Sequence, residues 1–217
     1  MAIEAVLFDL DGTLLDTHDA LLASFRYATR RVLGSAAESL TEEQLMAKVG
    51  QPLDTQMWDF TDDQEIHDRL LDTYRAHNNQ VHDSLVRPFP GIPELLERLR
   101  TAGVPMGIVT SKRHQMALRG LNLFGLADYF AFLVGSDDFP EHKPAPGPVA
   151  YGCELMGLAP QQVLYVGDSP FDMMAGNGAG CPTAAVTWGM FPVDVLEAEH
   201  PTYVCDKPAQ IAGILGM

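Results

Sequence analysis

From residue 84 onward, short and almost wholly apolar runs alternate with longer amphipathic stretches. Met106–Thr110, Phe130–Gly135, Val163–Gly167 and Thr183–Thr187 read as strands, as does Ala5–Phe8 near the amino end. Between them, Ile92–Ala102, Arg113–Phe124, Pro146–Met156 and Phe171–Ala179 carry helical periodicity. Strands that alternate with helices in this way build βαβ units and a parallel sheet. The runs VLFD, GIVT, LYVG and AAVT are close to uninterrupted in apolar character, as expected of strands covered by helices on both faces. The expected fold class is α/β, with a Rossmann-like parallel sheet at its core.

Residues 17–83 break the rhythm. Leu21, Leu22, Phe25 and Tyr27–Ala28, then Leu45–Val49, then Ile66, Leu70, Leu71 and Tyr74 recur at helical spacing, and no strand pattern separates them. The segment reads as a helical insert after the first strand, dividing the chain into a core of 1–16 plus 84–217 and an insert of 17–83. Pro88, Pro90 and Gly91 mark the return as a turn or hinge.

At 217 residues the chain can bury a sizeable core. Its uncharged runs fall well short of the roughly 20 apolar residues that cross a bilayer. The opening MAIEAVLFD has no basic n-region and reads as a strand, so a cytoplasmic protein is expected. Cys153, Cys181 and Cys205 are far apart and odd in number, which fits buried, reduced thiols better than a metal or disulfide framework. The 29 acids against 14 bases, a formal charge of −15, argue against nucleic acid and anionic membrane surfaces as partners. An anionic substrate would require local positive charge, and a bound divalent cation is the obvious source.

Ligands of open α/β sheets sit beyond the carboxyl ends of the strands. There the sequence places Asp9-Leu10-Asp11-Gly12-Thr13, Thr110-Ser111-Lys112 and Asp168-Ser169-Pro170-Phe171-Asp172, with His142-Lys143-Pro144 before the fourth helix. These residue types suit phosphoryl transfer. One carboxylate can act as covalent nucleophile and a second as general acid and base. Further carboxylates suit Mg²⁺, a hard cation that favours oxygen ligands. Lysine and hydroxyl side chains complement phosphoryl oxygens, and Gly12 lets the chain bend so that backbone N–H groups face a phosphate. Thr13, Thr110, Ser111 and Lys143 are the candidate substrate contacts. Each piece alone has a commonplace explanation: a solvated DxD turn, an N-cap at Thr110-Ser111, a surface lysine, and a Ser-Pro helix start at 169–170. Four coincidences at one sheet edge are much harder to accept.

Together, FDLDGTLLDT, GIVTSK, Lys143-Pro144 and VGDSPFD resemble the four signature motifs of the haloacid dehalogenase-like hydrolases. The resemblance spans the chain, with the insert where that superfamily carries its small α-helical cap. Phosphoglycolate phosphatases and the related bacterial pyrophosphatases are most similar. The resemblance implies that Asp9 is the nucleophile and forms an aspartyl-phosphate, and that Asp11 is the general acid and base. It implies that Asp9, Asp168, Asp172 and the Asp11 carbonyl surround Mg²⁺, and that Thr110 and Lys143 bind the phosphoryl group. A true dehalogenase lacks the second acid of the pair, so Asp11 favours a phosphatase.

The expected activity is Mg²⁺-dependent hydrolysis of a small phosphorylated metabolite, phosphoglycolate above all. Inorganic pyrophosphate and sugar phosphates are the alternatives, and a phosphomutase would use the same core. A phosphorelay receiver uses similar residues, but its acid cluster and acceptor lie on different strands from those here. In the cap, Gln51 is the candidate substrate contact. Arg26, Arg30, Arg31, His77 and His82 are weighed as further anion contacts against solvated or structural roles, and Met46, Met57 and Trp58 read as cap core. Monomer and homodimer both remain open.

Overall fold

The structure, a computed structural model, describes residues 2–217. In chain order its elements are β1 (Ala5–Phe8), β2 (Leu15–Asp16), α1 (His18–Leu33), α2 (Glu42–Met46), α3 (Leu53–Met57), α4 (Gln64–Leu85), β3 (Arg87–Pro88), α5 (Ile92–Thr101) and β4 (Met106–Val109). There follow α6 (His114–Leu123), β5 (Leu133–Val134), α7 (Gly147–Met156), β6 (Val163–Gly167), α8 (Pro170–Ala179), β7 (Thr183–Val186), α9 (Val193–Glu197), β8 (Tyr203–Cys205) and α10 (Ala209–Ile214). Six strands form one sheet in the order β5-β4-β1-β6-β7-β8, and every neighbouring pair is parallel.

The two-residue period of a strand explains why β1 is apolar throughout. Val6 and Phe8 point into one core, with Ile108, Leu164 and Val166 of neighbouring strands and Leu96 and Leu99 of α5. Ala5 and Leu7 point into the other, with Val109, Val163, Tyr165 and the α7 residues Val149 and Cys153. Burial of each large side chain contributes about 1.5–3 kcal/mol, so both helical layers are held firmly to β1. The central strand is thereby fixed on both faces and both edges, and Asp9 leaves its end with little freedom.

The insert has a core of its own. Leu21, Leu22 and Phe25 of α1 pack with Leu70, Leu71 and Tyr74 of α4, and Met57 is buried among them. Phe25 and Tyr74 meet edge to face at 4.8 Å. The chain leaves and re-enters the sheet domain through β2 and β3, which pair antiparallel (Leu15 opposite Pro88, Asp16 opposite Arg87).

The expected strand over 130–135 shrinks to Leu133–Val134. Phe130 closes a 3-10 turn, and the Ser136 amide donates to Lys112 O instead of continuing the ladder. β8, a short edge strand with Tyr203 and Val204 exposed, gives no apolar run to read. All three cysteines are free and buried; Cys153 and Cys181 approach to 3.5 Å between sulfurs. No described helix is long and apolar enough to cross a membrane.

Candidate active site

At the end of β1 the Asp9 amide donates to Val166 O at 2.8 Å, tying the first carboxylate to β6. The chain then turns back: Leu10 O accepts from the Leu14 and Leu15 amides, and Gly12 N–H donates to Leu15 O. Gly12 has φ of 80°, and a Cβ there would lie 2.1 Å from Asp168 Oδ2. Glycine is required both for the left-handed turn and for this close approach. Thr13 completes the loop, its hydroxyl donating to Asp168 Oδ1 at 3.1 Å while the Met190 amide donates to Oδ2 at 2.8 Å. Asp168 is thus held from two sides.

Ser169 and Asp172 form a capping box that starts α8, with Pro170 in its first turn. The Asp172 amide donates to Ser169 Oγ, and Asp172 Oδ2 accepts from the Ser169 amide at 3.1 Å and its hydroxyl at 2.6 Å. The helix start and the placement of a buried acid are therefore one structural event. Asp172 Oδ1 faces Lys143 Nζ at 2.5 Å and the Tyr165 hydroxyl at 3.0 Å. Lys143 Nζ also donates to Asp9 Oδ1 at 2.8 Å, joining the two acids. Lys143 comes from the loop between β5 and α7, and its peptide bond to Pro144 is cis. Asp9 Oδ2 accepts no hydrogen bond from any described residue.

Asp9, Asp168 and Asp172 are all buried and offer carboxylate oxygens within 4.8 Å of one another. Among the described residues, the one buried ammonium at the cluster, Lys143, pairs with two of these three carboxylates, Asp9 and Asp172. Burial, only partly opposed by Lys143 and reinforced by Asp172, pushes the Asp9 carboxyl up to about 7. Burial, Asp172 and Asp9 raise Asp168 well above the usual carboxylate range. For Lys143, burial pulls downward, but Asp172 and Asp9 outweigh it and its ammonium is held well above the usual lysine range. The cluster is short of positive charge, and hard oxygen donors this close can accept a divalent cation such as Mg²⁺.

A cavity of about 840 Å³ opens above this cluster. The sheet domain contributes Asp9, Asp11, Thr110 and Lys112 to its wall, and the insert contributes Gln51 and Arg75 among others. Asp11 lies outside the three-carboxylate cluster, with Lys112 Nζ 2.8 Å from each of its carboxylate oxygens.

Residues 6–186 match the haloacid dehalogenase-like hydrolase family. The chain belongs to that family. The "Putative pyrophosphatase PpaX" of Caldanaerobacter subterraneus subsp. tengcongensis is 38% identical over 99% of this chain and 96% of its own length. The "Pyrophosphatase PpaX" of Oceanobacillus iheyensis is 33% identical over 100% and 98%. Among solved structures, a "predicted phosphoglycolate phosphatase" from Haemophilus somnus superposes with a TM-score of 0.87 at 27% identity, covering 98% of this chain and 97% of its own. These relatives put the chain on the phosphatase side of the family.

In this hydrolase Gly12 and Thr13 shape the site differently from the sequence expectation. The Gly12 amide is spent on Leu15 O and the Thr13 hydroxyl on Asp168, so both support the acid cluster instead of facing the cavity. The Ser111 hydroxyl donates to Gly50 O of the insert at 2.6 Å, bridging the two parts of the chain. Gly50, with φ of 103°, sits so close to the sheet domain that a Cβ would reach 2.7 Å from Ser169 Oγ. Thr110, Ser111 and Gln51 line the cavity. Arg26 is taken up by Glu42, and Arg30 and Arg31 are exposed outside the cavity. His77 stacks on Tyr27, and His82 is buried with Nδ1 against Asp83, so neither histidine reaches the site.

Sequence reasoning missed Lys112, Tyr165 and Arg75. Lys112 was visible as the third residue of Thr110-Ser111-Lys112. Tyr165, the one polar tip in the run LYVG, was a signal in its own right. For Arg75, one charge among many on α4, nothing in the sequence marked it.

Proposed function

We propose that this haloacid dehalogenase-like phosphatase hydrolyses a small phosphorylated anion with Mg²⁺, pyrophosphate first and phosphoglycolate second. The observation that carries the reading is the buried set of Asp9, Asp168, Asp172 and Lys143 beneath a cavity whose wall also holds Asp11. Full-length relatives named as pyrophosphatases, at 33–38% identity, favour pyrophosphate over the phosphoglycolate that the motifs alone suggested. The likeness to a phosphoglycolate phosphatase structure keeps the second substrate in view.

Asp9 Oδ2, the oxygen without a hydrogen bond, attacks phosphorus, and the bond from phosphorus to the leaving oxygen breaks. Asp11 gives its proton to that oxygen. Asp11 then takes a proton from water, the resulting hydroxide attacks the aspartyl-phosphate, and phosphate leaves as the carboxylate of Asp9 is restored. Lys143 holds Asp9 in place and offers positive charge to the phosphoryl group, with Thr110 beside it. Asp172, both of whose oxygens are already occupied, positions Lys143 and Ser169. Held by Asp9 and Asp168, with Asp11 and Asp172 alongside, Mg²⁺ would supply positive charge to the phosphoryl oxygens. The free thiols suit a cytoplasmic setting.

Released phosphate measured with pyrophosphate, phosphoglycolate, a sugar phosphate and a nucleotide, each with Mg²⁺ and with EDTA, tests the reading. Turnover of the first two that EDTA abolishes is expected. Turnover that survives EDTA would remove the metal from the mechanism, and a nucleotide preference would overturn the substrate class.

A further inference from the structure

Four cationic side chains besides histidine line the cavity: Arg75, Lys112, Arg113 and Arg119. Three are already held by acids. Lys112 clasps Asp11, Arg113 pairs with Asp137, and Arg119 pairs with Asp83 while donating to Asn79. Arg75, on α4, has no ion-pair partner among the described residues. In a chain with 29 acids and 14 bases, a half-buried guanidinium left without a carboxylate is conspicuous. Its position is equally telling. It lies on α4 of the insert and lines the same cavity as Asp9 and Thr110 of the sheet domain.

We infer that Arg75 is a specificity-determining residue that holds the second anionic group of the substrate. That group is the distal phosphate of pyrophosphate or the carboxylate of a short phospho-acid. A guanidinium presents paired N–H donors that match either oxyanion bidentately. The geometry divides recognition between the two parts of the chain. The sheet domain takes the phosphorus that reacts, and the insert reads what is attached to it. A phosphomonoester with a neutral tail leaves Arg75 unengaged and gains nothing from it. The inference rests on the phosphatase reading above, and adds that the preferred substrate carries two anionic groups.

The test uses the full chain with Mg²⁺. Initial rates on pyrophosphate, phosphoglycolate and p-nitrophenyl phosphate are compared for wild type, Arg75→Met and Arg75→Lys. Loss of a charge-assisted pair corresponds to about a 10- to 100-fold drop in kcat/KM. That drop is expected for Arg75→Met on the two substrates with an anionic tail, mainly through KM, with p-nitrophenyl phosphate changed less than about 3-fold. Arg75→Lys should recover part of the loss. A parallel fall on all three substrates would make Arg75 structural and overturn the proposal, as would no change on any. A wild type that turns over only p-nitrophenyl phosphate overturns the proposal but leaves the phosphatase reading standing. A wild type inactive on all three ends both.

Discussion

Lys112 Nζ stands 2.8 Å from Oδ1 and 2.8 Å from Oδ2 of Asp11, a symmetric clasp on the wall of the cavity. Both side chains are largely shielded, at 9% and 17% exposure, so salt weakens this pair less than a surface one. While the ammonium covers both oxygens, Asp11 has no face to offer a leaving group. The proton transfer proposed for Asp11 would need one of these oxygens free of Lys112. A phosphate anion in the cavity would compete with Asp11 for the Lys112 ammonium.

Replacing Asp11 by Asn should therefore cost activity in proportion to how badly the leaving group needs a proton. We expect kcat on phosphoglycolate to fall by about 10²- to 10⁴-fold, the usual range for a general acid. On p-nitrophenyl phosphate, whose phenolate departs without help, the first step should be much less affected. Steady-state rates on the two substrates, with burst kinetics on the second, decide the matter. Equal losses on both in the first, phosphoryl-transfer step would remove Asp11 from the role of acid.

Asp9→Asn should abolish turnover and also reshape stability. Burial holds the Asp9 carboxyl at about 7 against 3.8 in an unfolded chain. With its pKa raised on folding, Asp9 keeps its proton in the folded metal-free protein where the unfolded chain has lost it. Metal-free stability should fall as pH rises from about 4 to about 7. The asparagine variant lacks this contribution, so its melting temperature in EDTA should decline less over the same interval. Mg²⁺ should stabilise the wild type more at pH 8 than at pH 5, because its ligands must be ionised. Calorimetric melts across that range, with and without metal, provide the measurement; identical pH slopes for the two proteins would contradict the burial argument.

Much of this site was legible because strand ends converge. FDLDGT and GDSPFD sit on adjacent parallel strands, so residues far apart in sequence had to meet. The Ser169 to Asp172 segment could be read either as a helix cap or as a site, and it is both at once. Lys143 was legible by type and by its neighbouring proline, although it arrives on a loop well beyond its strand. What stayed hidden depends on packing between the two parts of the chain. Arg75 looks like any solvated helix charge until α4 is laid along the cavity, whereas Arg26, Arg30 and Arg31 carry the same signal and point elsewhere. Thr13 and Ser111 show a further side of this: Thr13 lies outside the cavity lining, and Ser111 lines it with its hydroxyl turned to Gly50 O. Their hydroxyls suggest ligand contacts, but each is committed to a protein partner that no local pattern specifies.

Lys143→Met tests how far the buried charge network supports the fold. The ammonium is the shared partner of Asp9 and Asp172, and its side chain is 1% exposed. Removing one partner of a buried pair leaves an uncompensated charge and costs about 3–5 kcal/mol. A lower urea midpoint with unchanged slope is expected. Adding Asp172→Asn in the same chain should restore part of that loss, since the second change removes one of the stranded acids. If the double variant is weaker by the sum of the two single losses, Lys143 and Asp172 are not coupled as their geometry requires.

The insert carries a separate pH dependence at His67. Its ring is buried, stacked 4.1 Å from Trp58, with Nδ1 3.0 Å from Asp68 and Nε2 3.0 Å from the Asp54 carbonyl. Burial favours the neutral ring, but the Asp68 carboxylate and the Asp54 carbonyl reward a proton on each nitrogen and raise the group above its ordinary 6.5. Because the folded value is the higher one, the contribution to stability is complete below about pH 6.5 and is lost as pH rises through the folded value. The protonated ring ties α4 to the Asp54 carbonyl in the first turn of α3, so the α3 segment of the insert should loosen first. Hydrogen exchange of the 53–60 amides, corrected for intrinsic pH effects, should speed up between pH 6 and 8. His67→Gln should flatten that change, and an unchanged profile in the variant would assign the loosening to another group.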